Sequence, residues 1–400
     1  MFSVNFVNVF LMKRIYLDYS ATTPLDPRVE KVLLSHIKKT YGNPSSISKE
    51  GVLAKKVLTE AREEVAKVIS GHPDEIIFTS GGTESNNLAI LGVVEEARKR
   101  GISYNAMHAI CSSIEHSSVR EVFHQLRNLG VMADEVKVSD KGIVDVGDLK
   151  RKLRPETVLV SIQYANSEIG VVQPIKEIAK LIRHYKKNRE ASSVYPIFHT
   201  DASAGALYLD LNVLRLGVDL LTFDSHKIYG PKGVGALYKR REVGLMPIMF
   251  GGSQEGGIRP GTENVPVIAS FAFALAIAEK EKVKESARLL KLREFIRSQL
   301  FRSVRAGIVF NGDMTERLPN TINISIKDCD TEFLTLQLDA KGFAVSTKSA
   351  CLSDEDSSYV VDALGGEKWR AKNTLRISLG RFTTKEDCQK FISVFSKLLS

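Results

Sequence analysis

Short apolar runs alternate with segments of helical period along the first part of the chain. The apolar runs are rich in β-branched and aromatic residues, which is typical of buried strands. Strands separated by helices predict a mostly parallel sheet with helices on both faces, a three-layer α/β fold. The predicted strands are Glu75–Thr79, His108–Cys111, Thr157–Ile162, Val194–His199 and Asp219–Phe223, and the predicted helices are Thr83–Arg100, Ser117–Leu129 and Pro174–Lys187.

A long helical pattern from Val267 to about Arg302 predicts where the chain leaves this first domain. A smaller α+β domain is expected behind it, with strands at Ile308–Phe310, Thr321–Ile326 and Leu375–Leu379 and helices over roughly 330–341 and 384–399. We therefore expect a large domain over residues 24–265 and a small domain formed by residues 12–23 and 266–400.

The first eleven residues are apolar but contain two Asn, and they lack a basic start and a small-residue cleavage site. They match neither a signal peptide nor a membrane span. We expect Met12 to be the natural start, with residues 1–11 a non-native or disordered extension.

Composition narrows the function classes. Of the 400 residues, 43% are hydrophobic and 26% charged, as in ordinary globular proteins. The net charge of +9 is spread over predicted helices without a basic block interleaved with aromatics, which argues against nucleic-acid binding.

Four cysteines, Cys111, Cys329, Cys351 and Cys388, are far apart and form no CxxC pattern. We expect no metal site, no membrane contact and a reducing cytoplasm.

The stretch Ser225-His226-Lys227 ends the apolar run Asp219–Phe223 and is followed by a glycine-rich segment. A lysine beside a buried strand end loses hydration, so its neutral amine becomes available as a nucleophile. Spacing alone also fits a surface lysine in a turn. Other residues along the chain favour the reactive lysine.

A glycine turn between a strand and a helix, Gly81-Gly82-Thr83, offers backbone N–H groups at a helix N-terminus. Such groups and the helix dipole favour a phosphate, and Thr83 would add a hydroxyl. An ordinary capped loop is the alternative reading.

Further polar residues follow other predicted strands. Asp201 would either cap a helix or pair with a protonated cofactor ring nitrogen. His116 would stack on a flat cofactor, and Asn166 is a third polar group at a strand end. With Lys227 they predict a ring of groups at the carboxyl edge of the sheet.

Two residues of the second domain are candidates as well. Cys351 lies among small and polar residues, which indicates an exposed loop, with Lys348 favouring the thiolate and the acidic run at 354–356 opposing it. An incidental loop cysteine is the alternative. Arg376 interrupts an apolar strand, so it needs a carboxylate from the protein or from a substrate.

These motifs together resemble the NifS/IscS group of cysteine desulfurases, within the class V, fold-type I enzymes that use pyridoxal 5'-phosphate (PLP). The likeness runs from Ile15 almost to the C-terminus. It rests on the segments 15–24, 41–46, 78–87, 168–173, 225–235 and 257–262 and on the loop around Cys351.

The resemblance implies a role for each matching position. Lys227 would bind PLP as a Schiff base, Asp201 would pair with the ring nitrogen, His116 would stack on the ring and Asn166 would lie near the phenolic oxygen. The phosphate would be held by residues of two segments, Gly82, Thr83, Ser225 and His226. Thr262 would reach it from the other subunit of a homodimer. Asn43 and Arg376 would bind the carboxylate of L-cysteine.

The implied reaction ends with alanine release and a persulfide on Cys351, which passes to a scaffold or sulfur carrier. Selenocysteine lyase, or another class V lyase or aminotransferase, is the enzyme alternative. A cofactor-poor relative that acts by binding in sulfur assembly is the alternative from another class.

Three positions depart from the family pattern. Asp224 stands where a phosphate-binding hydroxyl is usual, and two like charges about 4 Å apart cost about 4 kcal/mol at an effective dielectric constant of about 20. Ala204 replaces a Gln, and one lost hydrogen bond to a charged group is worth roughly 1.5–3 kcal/mol. Lys348 stands where Gly is common. We expect Asp224→Ser with Ala204→Gln to tighten cofactor binding.

Overall fold

The computed structural model describes residues 14–188, 194–303, 307–348 and 357–399. The expected extension 1–11 and the candidate nucleophile Cys351 lie outside these ranges, so the predictions for them are not tested by the structure.

A seven-stranded sheet with the order β2-β8-β7-β6-β5-β3-β4 forms the centre of the molecule. Strand β8 runs antiparallel to the other six strands of the sheet, which share one direction. Its strands are β2 (Ile76–Thr79), β3 (His108–Ser112), β4 (Met132–Val136), β5 (Thr157–Ser161), β6 (Ile197–Asp201), β7 (Leu220–Asp224) and β8 (Gly235–Lys239).

Helices cover both faces of this sheet, which confirms the predicted three-layer α/β fold. Side chains alternate along each buried strand, so Ile76 and Phe78 enter one core while Ile77 enters the other. Helices α3 (Gly82–Lys99) and α4 (Ser117–Asn128) contribute to the second core. The first core receives side chains from α1 (Pro27–Lys39), α2 (Lys49–Ile69), α5 (Val146–Lys152), α6 (Ile175–Lys187), α7 (Val213–Leu216) and α8 (Val265–Ser303).

A second region contains a three-stranded antiparallel sheet with the order β12-β10-β9. The short strand β1 near the start of the chain pairs in parallel with β11, where Ile15 lies opposite Phe343. This pairing fits the expectation that residues 12–23 belong with the C-terminal part, although the domain boundaries stay a prediction. The remaining elements are β1 (Ile15–Tyr16), β9 (Ile308–Phe310), β10 (Thr321–Ile326), α9 (Thr331–Ala340), β11 (Phe343–Ala344), α10 (Tyr359–Asp362), α11 (Trp369–Lys372), β12 (Thr374–Ser378) and α12 (Lys385–Leu398).

The predicted strand Val194–His199 was placed too early, since β6 spans Ile197–Asp201. Pro196 has no backbone N–H to donate to a neighbouring strand, so pairing begins after it. The shift places Asp201 at the end of the strand.

Over the described ranges, none of the helices combines the length and apolar composition that crossing a bilayer requires.

Candidate active site

The carboxyl ends of the parallel strands carry polar residues to one edge of the central sheet. His116 follows β3, Asp201 ends β6, and Lys227 follows β7. A cavity at this edge brings together most of the predicted ring: it is lined by Gly82, Thr83, His116, Asp201, His226 and Lys227, and also by Ala21, Ser118, Gln163, Ala165, Ser167, Ser203, Ala204 and Asp224. Ligands of open α/β sheets bind at this edge.

Lys227 lies in a single 3-10 turn, Ser225–Lys227, directly after β7. Its half-buried side chain reaches across to the segment after β1, where Nζ donates hydrogen bonds to the carbonyl oxygens of Ser20 and Ala21, the latter at 2.9 Å. These contacts aim the amine at the cavity wall formed by Ala21. These two hydrogen bonds hold the lysine amine in position at the edge of the cavity.

A chain of hydrogen bonds joins Asp201 to His116. Asn86, on the buried face of α3, donates from Nδ2 to Asp201 Oδ2 at 2.8 Å and to Ser118 Oγ at 2.9 Å. The Ser118 hydroxyl in turn contacts His116 Nδ1 at 2.8 Å. The other carboxylate oxygen of Asp201 accepts from the Ser203 backbone N–H at 2.9 Å. The network fixes the orientation of both the carboxylate and the imidazole.

Burial lowers the pKa of His116 below its ordinary value, and the nearby cations Lys227 and Arg376 lower it further while Asp201 opposes them. The imidazole is therefore neutral at neutral pH. Its Nδ1 accepts a hydrogen bond from the Ser118 backbone N–H at 3.2 Å, so the ring caps α4 with one edge and faces the cavity. A neutral, oriented ring of this kind is suited to stacking.

The N-terminus of α3 forms another wall of the cavity. A Cβ built on Gly82 would lie 3.2 Å from Ser203 Oγ and 3.2 Å from Asp224 Oδ2, so only glycine leaves this space open. The Ser203 hydroxyl is buried and has no hydrogen-bond partner among the described residues. Thr83 is exposed at the rim. These groups form a small polar cradle.

Asp224 also points into this cradle. Its Oδ2 accepts a hydrogen bond from the Gly82 backbone N–H at 2.6 Å and lies 3.4 Å from His226 Nε2. Burial alone would raise the pKa of Asp224, but its contacts with His226 and the Gly82 N–H outweigh burial and bring that pKa below its ordinary value. The carboxylate is therefore ionised at neutral pH.

Besides Arg376, four predicted site residues within the described ranges do not line this cavity. Asn166 is buried and accepts from the N–H groups of Glu168 and Ile169, and it donates to the Ile114 carbonyl. Ser225 Oγ is buried toward Gly230, where a Cβ would clash with it at 2.1 Å. Asn43 and Thr262 are exposed. The predicted roles of all four stay predictions.

Arg376 lies on β12, close to the cavity rather than in its wall. Its Nη2 donates to Asp18 Oδ1 at 2.8 Å, and its Nη1 donates to the carbonyl of Ser167, a cavity-lining residue, at 3.4 Å. The protein thus provides the carboxylate that the sequence pattern required. The remaining Nε has no hydrogen-bond partner among the described residues.

The two ends of the segment 349–356, which contains Cys351, are attached beside the cavity. Before it, Ser346 exchanges two backbone hydrogen bonds with Arg376, at 2.6 and 3.2 Å. After it, the Ser358 hydroxyl donates to Glu168 and the Tyr359 hydroxyl to the Glu115 carbonyl. Residues within the segment lie outside the described ranges.

The three cysteines within the described ranges have thiols that desolvation keeps protonated. Cys111 and Cys388 are buried, and desolvation raises the pKa of the Cys388 thiol to about 12. Desolvation also raises the pKa of Cys329. Across the residues that the structure covers, no group of three or more His, Cys, Asp or Glu side chains is placed to hold a metal ion.

Asn86, Ser118, Gln163 and Ser203 were missed by the reading of the sequence. The signal for Asn86 was an amide at a helical position that is followed one turn later by the apolar residues Ala89 and Ile90, which marks a polar group on a buried face. Ser118 and Ser203 follow the predicted residues His116 and Asp201 by two positions. Their contribution depends on the backbone conformation after each strand, which the hydrophobic periodicity of the sequence does not predict.

Comparison with known proteins places this fold and cavity in one family. Residues 15–391 match the family described as aminotransferase class-V, and the chain belongs to that family. A curated relative, cysteine desulfurase IscS of Dictyoglomus turgidum, is 42% identical over 97% of this chain and 95% of its own.

Solved structures agree with this placement. A structure titled NifS-like protein superposes with a TM-score of 0.88 at 33% identity, covering 97% of this chain and 99% of its own. Another, titled SspA in complex with cysteine, has a TM-score of 0.78 at 29% identity and covers 93% of this chain and all of its own. Enzymes of this family use PLP as their cofactor, as the resemblance had implied.

The residues present fit PLP, with one exception. Asp201, neutral His116 and Lys227 suit a pyridine ring that carries an aldehyde. At the other end, the Gly82 cradle and the Ser203 hydroxyl suit a phosphate. The exception is the ionised Asp224 carboxylate inside that cradle.

Proposed function

We propose that this protein is a PLP-dependent L-cysteine desulfurase that converts L-cysteine to L-alanine and receives the sulfur on Cys351. The observation that carries the proposal is the convergence of Lys227, Asp201 and His116 on one cavity at the carboxyl edge of the sheet. The names of the relatives, which match nearly the whole chain, support the choice of reaction within the family.

Asp201 and His116 would hold the ring of PLP, and the Gly82 cradle would hold its phosphate. When bound, PLP supplies an electron sink that weakens the bonds at the substrate Cα. Asp201 would keep a proton on the ring nitrogen, since a carboxylate fixed by Asn86 and the Ser203 N–H can accept a further hydrogen bond. His116 would exclude water from one face of the ring.

Lys227 would move the substrate proton. Its amine, held near Ser20 and Ala21, faces the same cavity as Asp201 and would take the proton from Cα and return a proton to the product. Arg376, which borders Ser167, would bind the substrate carboxylate through N–H groups that Asp18 does not use. Asn43 would assist.

Cys351 would carry the sulfur away. Its thiolate attacks the sulfur of the bound substrate, so an S–S bond forms while the Cβ–S bond breaks. The electron pair of the broken bond stays on the substrate, and protonation of that carbon gives the methyl group of alanine. The resulting persulfide would pass to an acceptor or scaffold protein in the cytoplasm, for iron–sulfur cluster assembly or tRNA thiolation.

A second copy of the chain would complete the enzyme. Large apolar side chains are exposed on the segments that precede α2 and α8, where Ile47 is fully exposed and Phe250 is 85% exposed. Large exposed apolar side chains on both segments favour an interaction surface there. Asn43 and Thr262 lie in the same two segments, and a homodimer that uses them would let Thr262 reach the partner's phosphate cradle, as the resemblance implies.

The test is a product analysis of the purified, PLP-loaded protein with L-cysteine and a thiol reductant. We expect alanine and sulfide in equal amounts. A protein that carries PLP but releases no alanine would contradict the proposal. Preference for L-selenocysteine, with turnover that survives Cys351→Ala, would instead identify a selenocysteine lyase.

A further inference from the structure

The carboxylate of Asp224 lies at the positive end of α3, an eighteen-residue helix. The N-terminal N–H groups and the dipole of such a helix favour an anion. In this chain the Gly82 N–H donates to Asp224 at 2.6 Å. An internal anion thus lies where the phosphate group of PLP would be held.

Asp224 is fixed in this position by a second task. Its Oδ1 accepts a hydrogen bond from the His226 backbone N–H at 3.1 Å and so caps the turn Ser225–Lys227. The side chain is buried. Turning the carboxylate away from Gly82 would therefore disturb the turn that carries Lys227.

The other charges around the cradle do not neutralise Asp224 fully. Glu84, also in the first turn of α3, is paired with Arg259 at 2.8 Å. Asp224 has His226 at 3.4 Å, a side chain that is charged only when protonated. Asp201, a further carboxylate, and Lys227 also line the cavity.

We propose that Asp224 competes with the phosphate group of PLP for the N-terminus of α3, so that the site discriminates weakly between PLP and its phosphate-free analogue pyridoxal. The inference rests on the proposed function, because it takes PLP as the cofactor. The aldehyde and ring contacts are common to both compounds. Pyridoxal also closes to a cyclic hemiacetal in water, but this equilibrium is the same for every protein variant. The change in the ratio of the two affinities between variants therefore reports the phosphate cradle.

The test measures dissociation constants for PLP and for pyridoxal with the full-length protein stripped of cofactor, following visible absorbance. Asp224→Ser and Asp224→Asn both remove the charge, and Asn retains an acceptor for the His226 N–H. Ala204→Gln is a matched control in the cavity wall outside the phosphate cradle. Asp210→Ser is a control for loss of a surface carboxylate.

We expect both Asp224 variants to bind PLP at least about tenfold more tightly while their affinity for pyridoxal changes less than about twofold. Ala204→Gln should change both affinities by the same factor, and Asp210→Ser neither. An unchanged ratio in both Asp224 variants would overturn the inference, even if the protein is an active desulfurase. If the ratio changes as expected in the Asp224 variants but the protein releases no alanine from L-cysteine, the proposed function is contradicted instead.

Discussion

Arg376 and Asp18 form an ion pair in which Nη2 and Oδ1 are 2.8 Å apart, joining β12 to the segment behind β1. The Arg376 side chain is 1% exposed and that of Asp18 is 17% exposed. The guanidinium has five N–H donors, and the pair with Asp18 uses one of them. Asp18 thereby orients Arg376 and leaves further donors for an anion near Ser167.

If Arg376 binds the substrate carboxylate, Arg376→Lys should raise KM for L-cysteine at least about tenfold, with a smaller loss in kcat. A lysine offers a point charge in place of a planar fork. Asp18→Asn is the matched variant, since it removes the internal anion and keeps the guanidinium. We expect it to lower the free energy of unfolding by about 1–3 kcal/mol with little change in KM. Equal increases in KM for both variants would assign Arg376 a purely structural role.

Asp201→Asn should lower kcat by about 100-fold or more while the fold is retained. An amide cannot stabilise a proton on the cofactor ring nitrogen as a carboxylate does, yet it can still accept the hydrogen bond from Ser203 N–H. Steady-state kinetics and thermal unfolding measure the two effects. Asp210→Asn, at an exposed site, is the control. Full activity in Asp201→Asn would exclude Asp201 as the ring-nitrogen partner.

Glu115 should make stability fall as the pH rises toward 8. Its carboxyl group is fully buried, and desolvation raises its pKa from 4.5 to about 8. Between these values the native state keeps a proton that the unfolded state has lost, so the stabilisation present at low pH is lost as pH rises. The slope is at most about 1.4 kcal/mol per pH unit.

Urea unfolding between about pH 7 and pH 8 isolates this effect, because the buried histidines His108 and His199, whose pKa values are lowered to about 4, act at lower pH. We expect Glu115→Gln to remove the slope and exposed Glu121→Gln to keep it. The same slope in Glu115→Gln as in the unaltered protein would show that another group is responsible.

The sequence predicted the fold well because each element carried its own signal. Apolar runs of strand length marked β3, β5, β7, β9 and β10, and β-strand ends then located Lys227, Asp201 and His116. Strand β4 was not predicted, since Asp134 and Glu135 interrupt its apolar pattern at the edge of the sheet. Edge strands tolerate such charges, which hides them from a search for apolar runs.

The site was predicted less completely than the fold. The sequence around Asp201 did not predict that Asn86 binds its carboxylate, because the two residues are 115 positions apart in the chain. The sequence showed Asp224 to be a departure from the family pattern. It did not show that Asp224 caps the turn of Lys227 and accepts a hydrogen bond from the Gly82 N–H. Contacts between strand ends that are distant in sequence depend on tertiary geometry, which the periodicity of apolar residues does not predict.

The central claim is that Lys227 and Cys351 act in sequence on L-cysteine, and a single turnover without reductant tests it most directly. Alanine and protein persulfide would be measured for the PLP-loaded protein, Lys227→Ala and Cys351→Ala. We predict about one alanine and one persulfide per active site for the unaltered protein, and neither product for the two variants. Alanine released by Cys351→Ala at the normal rate, or a persulfide formed by Lys227→Ala, would contradict the account.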